Sequence, residues 1–325
     1  MAARLLEIRD LHVGFDVYGG TLKVLNGVNL TMEEGEKVGL VGETGCGKTT
    51  TAKSTLSILP IPPARIFKGE IFFNDEDILK MGQREIRMVQ AQGISMIFQD
   101  PTAALNPVFT IGEQLMDAIK YSSFRDRLSK KEMRERALQA LRDVALPDTE
   151  RILENYPIQL SGGMRQRICI AMALATASQL LIADEPTTSL DVTIQDQVLR
   201  LLGALVKEKE TSTILITHSL GIVREWTERV YVMYAGAMVE TASTEELFSR
   251  PLHPYTKGLM KAVPKLTGEG IAEGVSGRMP DYLNPPTGCR FHPRCPHRMS
   301  NCEEKRPPFF PGGGDHQVAC FLYKG

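Results

Sequence analysis

The segment Gly42-Glu43-Thr44-Gly45-Cys46-Gly47-Lys48-Thr49 constrains this chain more than any other. Its spacing is Gly, four residues, Gly-Lys-Thr, which marks a phosphate-binding P-loop. The glycines let the backbone curl until successive N–H groups point into one concavity. A helix starting near Lys48 adds its positive N-terminal end. In such a loop Lys48 reaches the β- and γ-phosphates and the Thr49 hydroxyl ligates Mg²⁺, with Thr50 next in the same nucleotide-binding set. The flanks agree: Lys37 to Val41 reads as a strand leading in, and Thr49 to Leu59 as a helix leading out. An α/β fold built around a nucleotide site follows.

The rest of the chain fits a globular protein. Its 325 residues are 42% hydrophobic and 24% charged, enough for one large domain and an appendage. A net charge of −1 gives no reason to expect nucleic acid as a partner. Met1-Ala2-Ala3-Arg4 runs straight into strand-like Leu5 to Arg9, so no signal peptide is expected. The longest mostly apolar run, Ile168 to Ala177, is about half a membrane span. A cytosolic protein is expected, with room for a position against a membrane protein.

Leu5 to Arg9 and Val24 to Leu30 read as strands, with Tyr18-Gly19-Gly20 turning between them. Tyr18 either stacks on an adenine ring or is a half-buried strand-end tyrosine. Gly69 to Asn74 and Gly93 to Phe98 are further strands. Gln99, at the end of the second, is a Mg²⁺ ligand that positions water, or a plain turn residue. From Ile111 to Tyr156 the pattern turns helical and highly charged, a helical insertion whose charge is mostly solvated. Ser161 can cap the next helix, and Gly162 and Gly163 follow it. That start is a second candidate anion site or only a capped helix.

Leu180 to Asp184 is apolar until its end, as in a buried parallel strand, and it finishes in Asp184-Glu185. Ligands gather at such strand ends. Asp184 would hold Mg²⁺ through water. Glu185 would orient or deprotonate the attacking water. Ser189-Leu190-Asp191 turns into the helix Val192 to Glu210, and Thr213 to Thr217 is a strand with His218 at its tip. His218 is either structural or a γ-phosphate contact. Strand-like Arg229 to Tyr234 and Ala237 to Glu240 complete the core.

From Pro264 onward the composition changes. Nine of the nineteen prolines fall here, with Gly312-Gly313-Gly314, so little regular structure is expected. Four of the six cysteines, Cys289, Cys295, Cys302 and Cys320, crowd this tail. In a reducing compartment that grouping suggests metal binding rather than disulfides, and it would staple the tail.

The P-loop, Gln99, Leu160 to Gln166, Asp184-Glu185, Ser189-Leu190-Asp191 and His218 resemble, in order and spacing, the motif set of an ABC transporter ATPase subunit. The resemblance spans about residues 4 to 262. Phe98 to Pro107, His253-Pro254-Tyr255-Thr256 and Gly288 to Pro296 look like the dipeptide/oligopeptide importer branch. It implies a P-loop (RecA-like) ABC ATPase core over 1–262 with an antiparallel β subdomain, a helical subdomain over about 108–176, and an irregular Cys-rich extension over 263–325. It implies ATP and Mg²⁺, the metal at Thr49, Gln99 and Asp184. It implies a second ATPase subunit, usually a paralogue, facing this one head to tail. Ser161, Gly162, Gly163 and Gln166 would then meet the partner's ATP in trans, and Asp191 would link the two sites. Two transmembrane permease subunits and an extracytoplasmic binding protein complete the implied set, with this subunit peripheral at the cytoplasmic face. Met164 stands where the family often has glutamine. In that branch the tail carries a [4Fe-4S] cluster; Arg290, Arg294 and Arg298 would offset its charge, and His292, His297 or His316 is a substitute ligand. Zinc is the alternative, although the tight two-residue loops of zinc ribbons are missing.

Other ATPase classes fit less well. A DNA-repair or chromosome-structure ATPase needs a long coiled coil, and only 111 residues separate Lys48 from Leu160. A translation-associated ATPase would carry two P-loops. A regulator that binds ATP without turnover would have no use for Glu185 and His218. Cargo is open: peptides, nickel chelates and some sugars travel through relatives of this branch.

Overall fold

A computed structural model of the chain describes residues 3–123, 128–176, 178–188, 190–262 and 274–324. It divides into two units, Met1–Lys80 with Leu215–Gly325, and Met81–Ile214.

The first unit begins with a long antiparallel hairpin, β1 (Arg4–Val17) and β2 (Gly20–Glu33), in which Val17 faces Gly20 across Tyr18-Gly19. Leu6, Ile8, Leu11 and Val13 of β1 are buried, and register shifts between them keep the apolar face inward. After β3 (Lys37–Val41), strand β4 (Ala64–Phe73) takes the free edge of β1 and β5 (Glu76–Asp77) follows it. The order β2-β1-β4-β5 is the antiparallel sheet that the family resemblance implied.

The second unit contributes β6 (Ile94–Ile97) and β7 (Leu180–Asp184), paired in parallel. Every residue of β7 is buried, which is why it reads as an unbroken apolar run. Its helices Ile111–Ser122, Lys130–Asp143, Thr149–Glu154 and Gly162–Ala175 pack on one another. Two of them start on capping boxes, Thr110 with Glu113 and Ser129 with Glu132, which the charged pattern of the insertion had hidden.

Strand β8 (Ser212–Ile216) returns the chain to the first unit. There β9 (Arg229–Tyr234) runs parallel to β3 and antiparallel to β10 (Ala237–Ser243). Two late strands, β11 (Phe310–Gly313) and β12 (His316–Val318), form a hairpin, and β12 pairs with β10. The tail is therefore part of the sheet, which corrects the expectation of little regular structure. A three-residue strand gives too short an alternation to recognise in sequence. Residues 263–273, where the extension was expected to begin, lie outside the described residues. The core of this unit gathers Val41, Val230, Val232, Tyr234, Tyr255 and, from the tail, Phe291.

Candidate nucleotide-binding site

The P-loop leaves β3 and opens the helix Lys48–Thr55 with Gly47 at its N-cap. Gly47 has φ +110, in the left-handed region that favours glycine, and a Cβ there would lie 2.7 Å from Leu25 Cδ2. At Gly42 a Cβ would sit 2.1 Å from the Met233 carbonyl oxygen. Lys48 is buried, and its Nζ donates to Gly42 O at 2.8 Å and Glu43 O at 3.2 Å. The ammonium thus lies over the concavity of the loop. Thr44 and Gly45 are exposed, Thr49 and Thr50 half-buried. Cys46 is fully buried, and burial pushes its thiol up, so it serves packing. The helix is shorter than expected: it ends at Thr55, and Ser57 at φ +53 breaks it before Leu59. Tyr18, at the hairpin turn, is fully exposed, so the half-buried alternative for it does not hold. His218 follows β8 at an exposed position.

In the second unit Asp184 ends β7 fully buried, and Glu185 follows it. Glu185 Oε2 accepts from Gln99 Nε2 at 3.1 Å and from Thr188 Oγ1 at 3.0 Å. The backbone of Glu185 sits at φ +45, an unusual state for a residue with a Cβ. Such strain concentrates where a side chain must be aimed. Thr188 had no signal in the sequence beyond its place in a turn.

Ser161 caps the helix Gly162–Ala175, its Oγ accepting from Met164 N at 3.3 Å. Ser161 is exposed and both glycines are half-buried. Gln166 is fully buried, with neither amide heteroatom hydrogen-bonded. Asp191 is exposed at the N-cap of the helix Val192–Glu208, and Ser189 lies outside the described residues.

The tail cysteines are neighbours. As thiolates the other three would each raise the pKa of Cys289, which burial already pushes up to about 11. The Cys289 N–H donates to Cys302 O at 2.8 Å. Among the described residues, however, no group of three or more His, Cys, Asp or Glu side chains could hold a metal ion. Neither the [4Fe-4S] cluster that the resemblance implied nor the zinc alternative is supported by this arrangement of side chains. The arginines also act otherwise than expected. Arg290 donates to the carbonyls of Ala235 and Lys23, Arg298 pairs with Glu303, and Arg294 pairs with Glu43 of the P-loop. His316 is fully buried, with Nε2 on Glu240 at 2.7 Å and Nδ1 making no hydrogen bond.

A glycine-bearing loop that opens a helix, a buried strand ending in paired carboxylates and a separate antiparallel sheet define an ATP-binding cassette. The chain belongs to the ABC transporter family, whose model matches residues 25–188. Residues 239–302 match the oligopeptide/dipeptide transporter C-terminal region. The chain is 44% identical over 320 residues to the dipeptide transport ATP-binding protein DppD of Bacillus subtilis (strain 168), covering 98% of this chain and 95% of that one. It is 43% identical to the oligopeptide transport ATP-binding protein OppD of Salmonella typhimurium, covering 98% and 93%. Among solved structures, the ATP-binding cassette MJ0796, a dimer bound to ADP and Pi, shares 26% identity with a TM-score of 0.66, covering 74% of this chain and 99% of that one. Among the described residues no helix is long and apolar enough to cross a membrane.

Proposed function

We propose that this chain is the ATP-hydrolysing subunit of an importer for di- or oligopeptides, working beneath membrane permease subunits at the cytoplasmic face. The observation that carries this reading is the likeness to peptide-transport ATP-binding proteins along 98% of the chain, tail included. The same role with a sugar or nickel chelate as cargo has no comparable support.

Lys48 and the loop amides bind the phosphates, and Tyr18 offers its open ring to the adenine. The donor set for Mg²⁺ is chemically apt: the Thr49 hydroxyl, the Gln99 carbonyl and the Asp184 carboxylate are hard oxygens. Gln99 turns its amide nitrogen to Glu185, which keeps its oxygen for the cation. When bound, Mg²⁺ neutralises charge developing on the β- and γ-phosphates. Glu185 takes the proton of the attacking water, and His218 contacts the γ-phosphate. Ser161, Gly162 and Gly163 reach the nucleotide of a second ATPase subunit. Gln166 supports that helix from inside, and Asp191 joins the two sites. Hydrolysis then releases the clamp, and Gln99 and the helical insertion pass the motion to the permease. Cys289, Cys295, Cys302 and Cys320 would be the ligands of a [4Fe-4S] cluster, and it would staple the tail. Four thiolates are the usual ligand complement of such a cluster.

Glu185→Gln tests the reading. ATP binding should persist while turnover drops by at least about a hundredfold, as for loss of a general base. Undiminished hydrolysis would remove Glu185 from that role. Lys48→Ala should weaken nucleotide binding, and unchanged affinity would contradict the phosphate assignment.

A further inference from the structure

The P-loop is held by the C-terminal segment, far away in sequence. Arg294 is almost fully buried, at 6% side-chain exposure. Its Nη1 and Nη2 meet the two carboxylate oxygens of Glu43 at 2.7 and 3.0 Å, a bidentate pair. The remaining donors are also used. Nε donates to Ser276 O at 2.8 Å, Nη2 to Val275 O at 2.8 Å, and Nη1 to Tyr234 Oη at 3.3 Å. All five N–H groups of the guanidinium are thereby engaged.

Two tyrosines fix the loop beside this fork. The Glu43 N–H donates to Tyr255 Oη at 2.8 Å, and Tyr282 Oη donates to Gly45 O at 2.7 Å. Tyr282 is itself anchored, because its carbonyl accepts from Lys23 N at 2.8 Å. The loop is therefore gripped at Glu43 and at Gly45, the two residues that bracket Thr44.

This arrangement has two consequences for a polyanionic ligand. The loop amides must converge before they can cradle phosphate, and external ties set that shape in advance. Glu43 also places a negative charge in a loop meant for a triphosphate, and the paired guanidinium offsets it. We propose that Arg294 is a positioning residue for ATP binding, and that Tyr282 assists it: the tail holds the P-loop ready and cancels the charge of Glu43. This rests on the reading that ATP binds this loop.

The test uses the full-length chain, a fluorescent ATP analogue for affinity, and steady-state hydrolysis. Arg294→Met should weaken nucleotide binding about tenfold and raise KM to match, with kcat within twofold. Arg294→Lys keeps the charge without the fork and should fall between Met and the parent. Arg294→Met with Glu43→Gln removes the uncompensated charge and should recover part of the lost affinity. Tyr282→Phe deletes one hydroxyl and should weaken binding about threefold; it decides the matter if Arg294→Met fails to fold. Affinity within twofold of the parent in both Arg294→Met and Tyr282→Phe overturns the proposal. So does a fall in kcat with KM unchanged. If Lys48→Ala also leaves affinity unchanged, the nucleotide reading itself has failed; if Lys48→Ala weakens binding and the tail variants do not, only this inference has.

Discussion

His253 shows how one buried side chain gives the fold a pH dependence. It caps the helix Pro254–Lys261, its Nδ1 accepting from Tyr255 N at 3.1 Å, and its ring packs near Phe291. That acceptor role requires the neutral ring. Complete burial, helped by Lys257, pushes its pKa down to about 3. Between about pH 6.5 and pH 3 the unfolded chain therefore takes up a proton that the folded chain refuses. This contribution is intact above pH 6.5 and is lost as the pH falls, by about 1 kcal/mol per pH unit. His253→Asn keeps a capping oxygen and removes the proton site. Urea unfolding at pH 7.5 and 5.5 should show a smaller loss on acidification in the variant than in the parent. Equal losses would place the proton elsewhere. Glu185 is also decided at this scale, since its left-handed backbone costs on the order of 1 kcal/mol and nothing in Asp184-Glu185-Pro186 announces it.

At the scale of elements, the seam between β10, the helix at Pro254 and β12 depends on one carboxylate. Glu240 is fully buried and accepts from Leu252 N at 2.6 Å, His253 N at 2.9 Å and His316 Nε2 at 2.7 Å. A buried carboxyl group is tolerated when its hydrogen-bonding capacity is met this completely. Glu240→Ala strands two backbone N–H groups and His316 together, and should cost about 3–5 kcal/mol in denaturant unfolding. It should also expose Gly312-Gly313 to proteolysis. A loss below about 1 kcal/mol would mean the hairpin is held by Val318 and Leu252 packing alone. The strand-like run Ala237 to Glu240 marked β10, but its acid read as a strand end. The partner that makes the acid structural comes from a strand too short to notice.

Across the whole molecule, the tail behaves as a brace for the nucleotide loop. Phe291 enters the aromatic group of Tyr234 and Tyr255, with ring centroids 5.0 and 5.5 Å away. β12 extends the sheet, and Cys289 and Cys295 pack against the core that holds Phe291. Burial pushes the thiols of Cys289, Cys295 and Cys320 up. Purified without oxygen, the chain should be brown and carry iron at the level of a four-iron cluster. Stripping the iron with oxidant and chelator should lower the melting temperature of the whole chain, because the tail loses its staple. A colourless protein with one zinc per chain, or one whose melting is indifferent to iron, would overturn the cluster.

The P-loop, the strand ending in Asp184-Glu185 and the Ser161 helix start were legible in the chain because each is made by neighbours along it. Glycine spacing, a capping hydroxyl and an apolar run act over one or two turns of backbone. Tertiary structure alone decided that Arg294 meets Glu43 across 251 residues and that His316 meets Glu240 across 76. It also decided that Arg294 serves the loop, Arg290 the backbone and Arg298 a tail carboxylate. A long charged side chain takes whichever partner the packed fold brings within about 3 Å, and no local pattern encodes that choice.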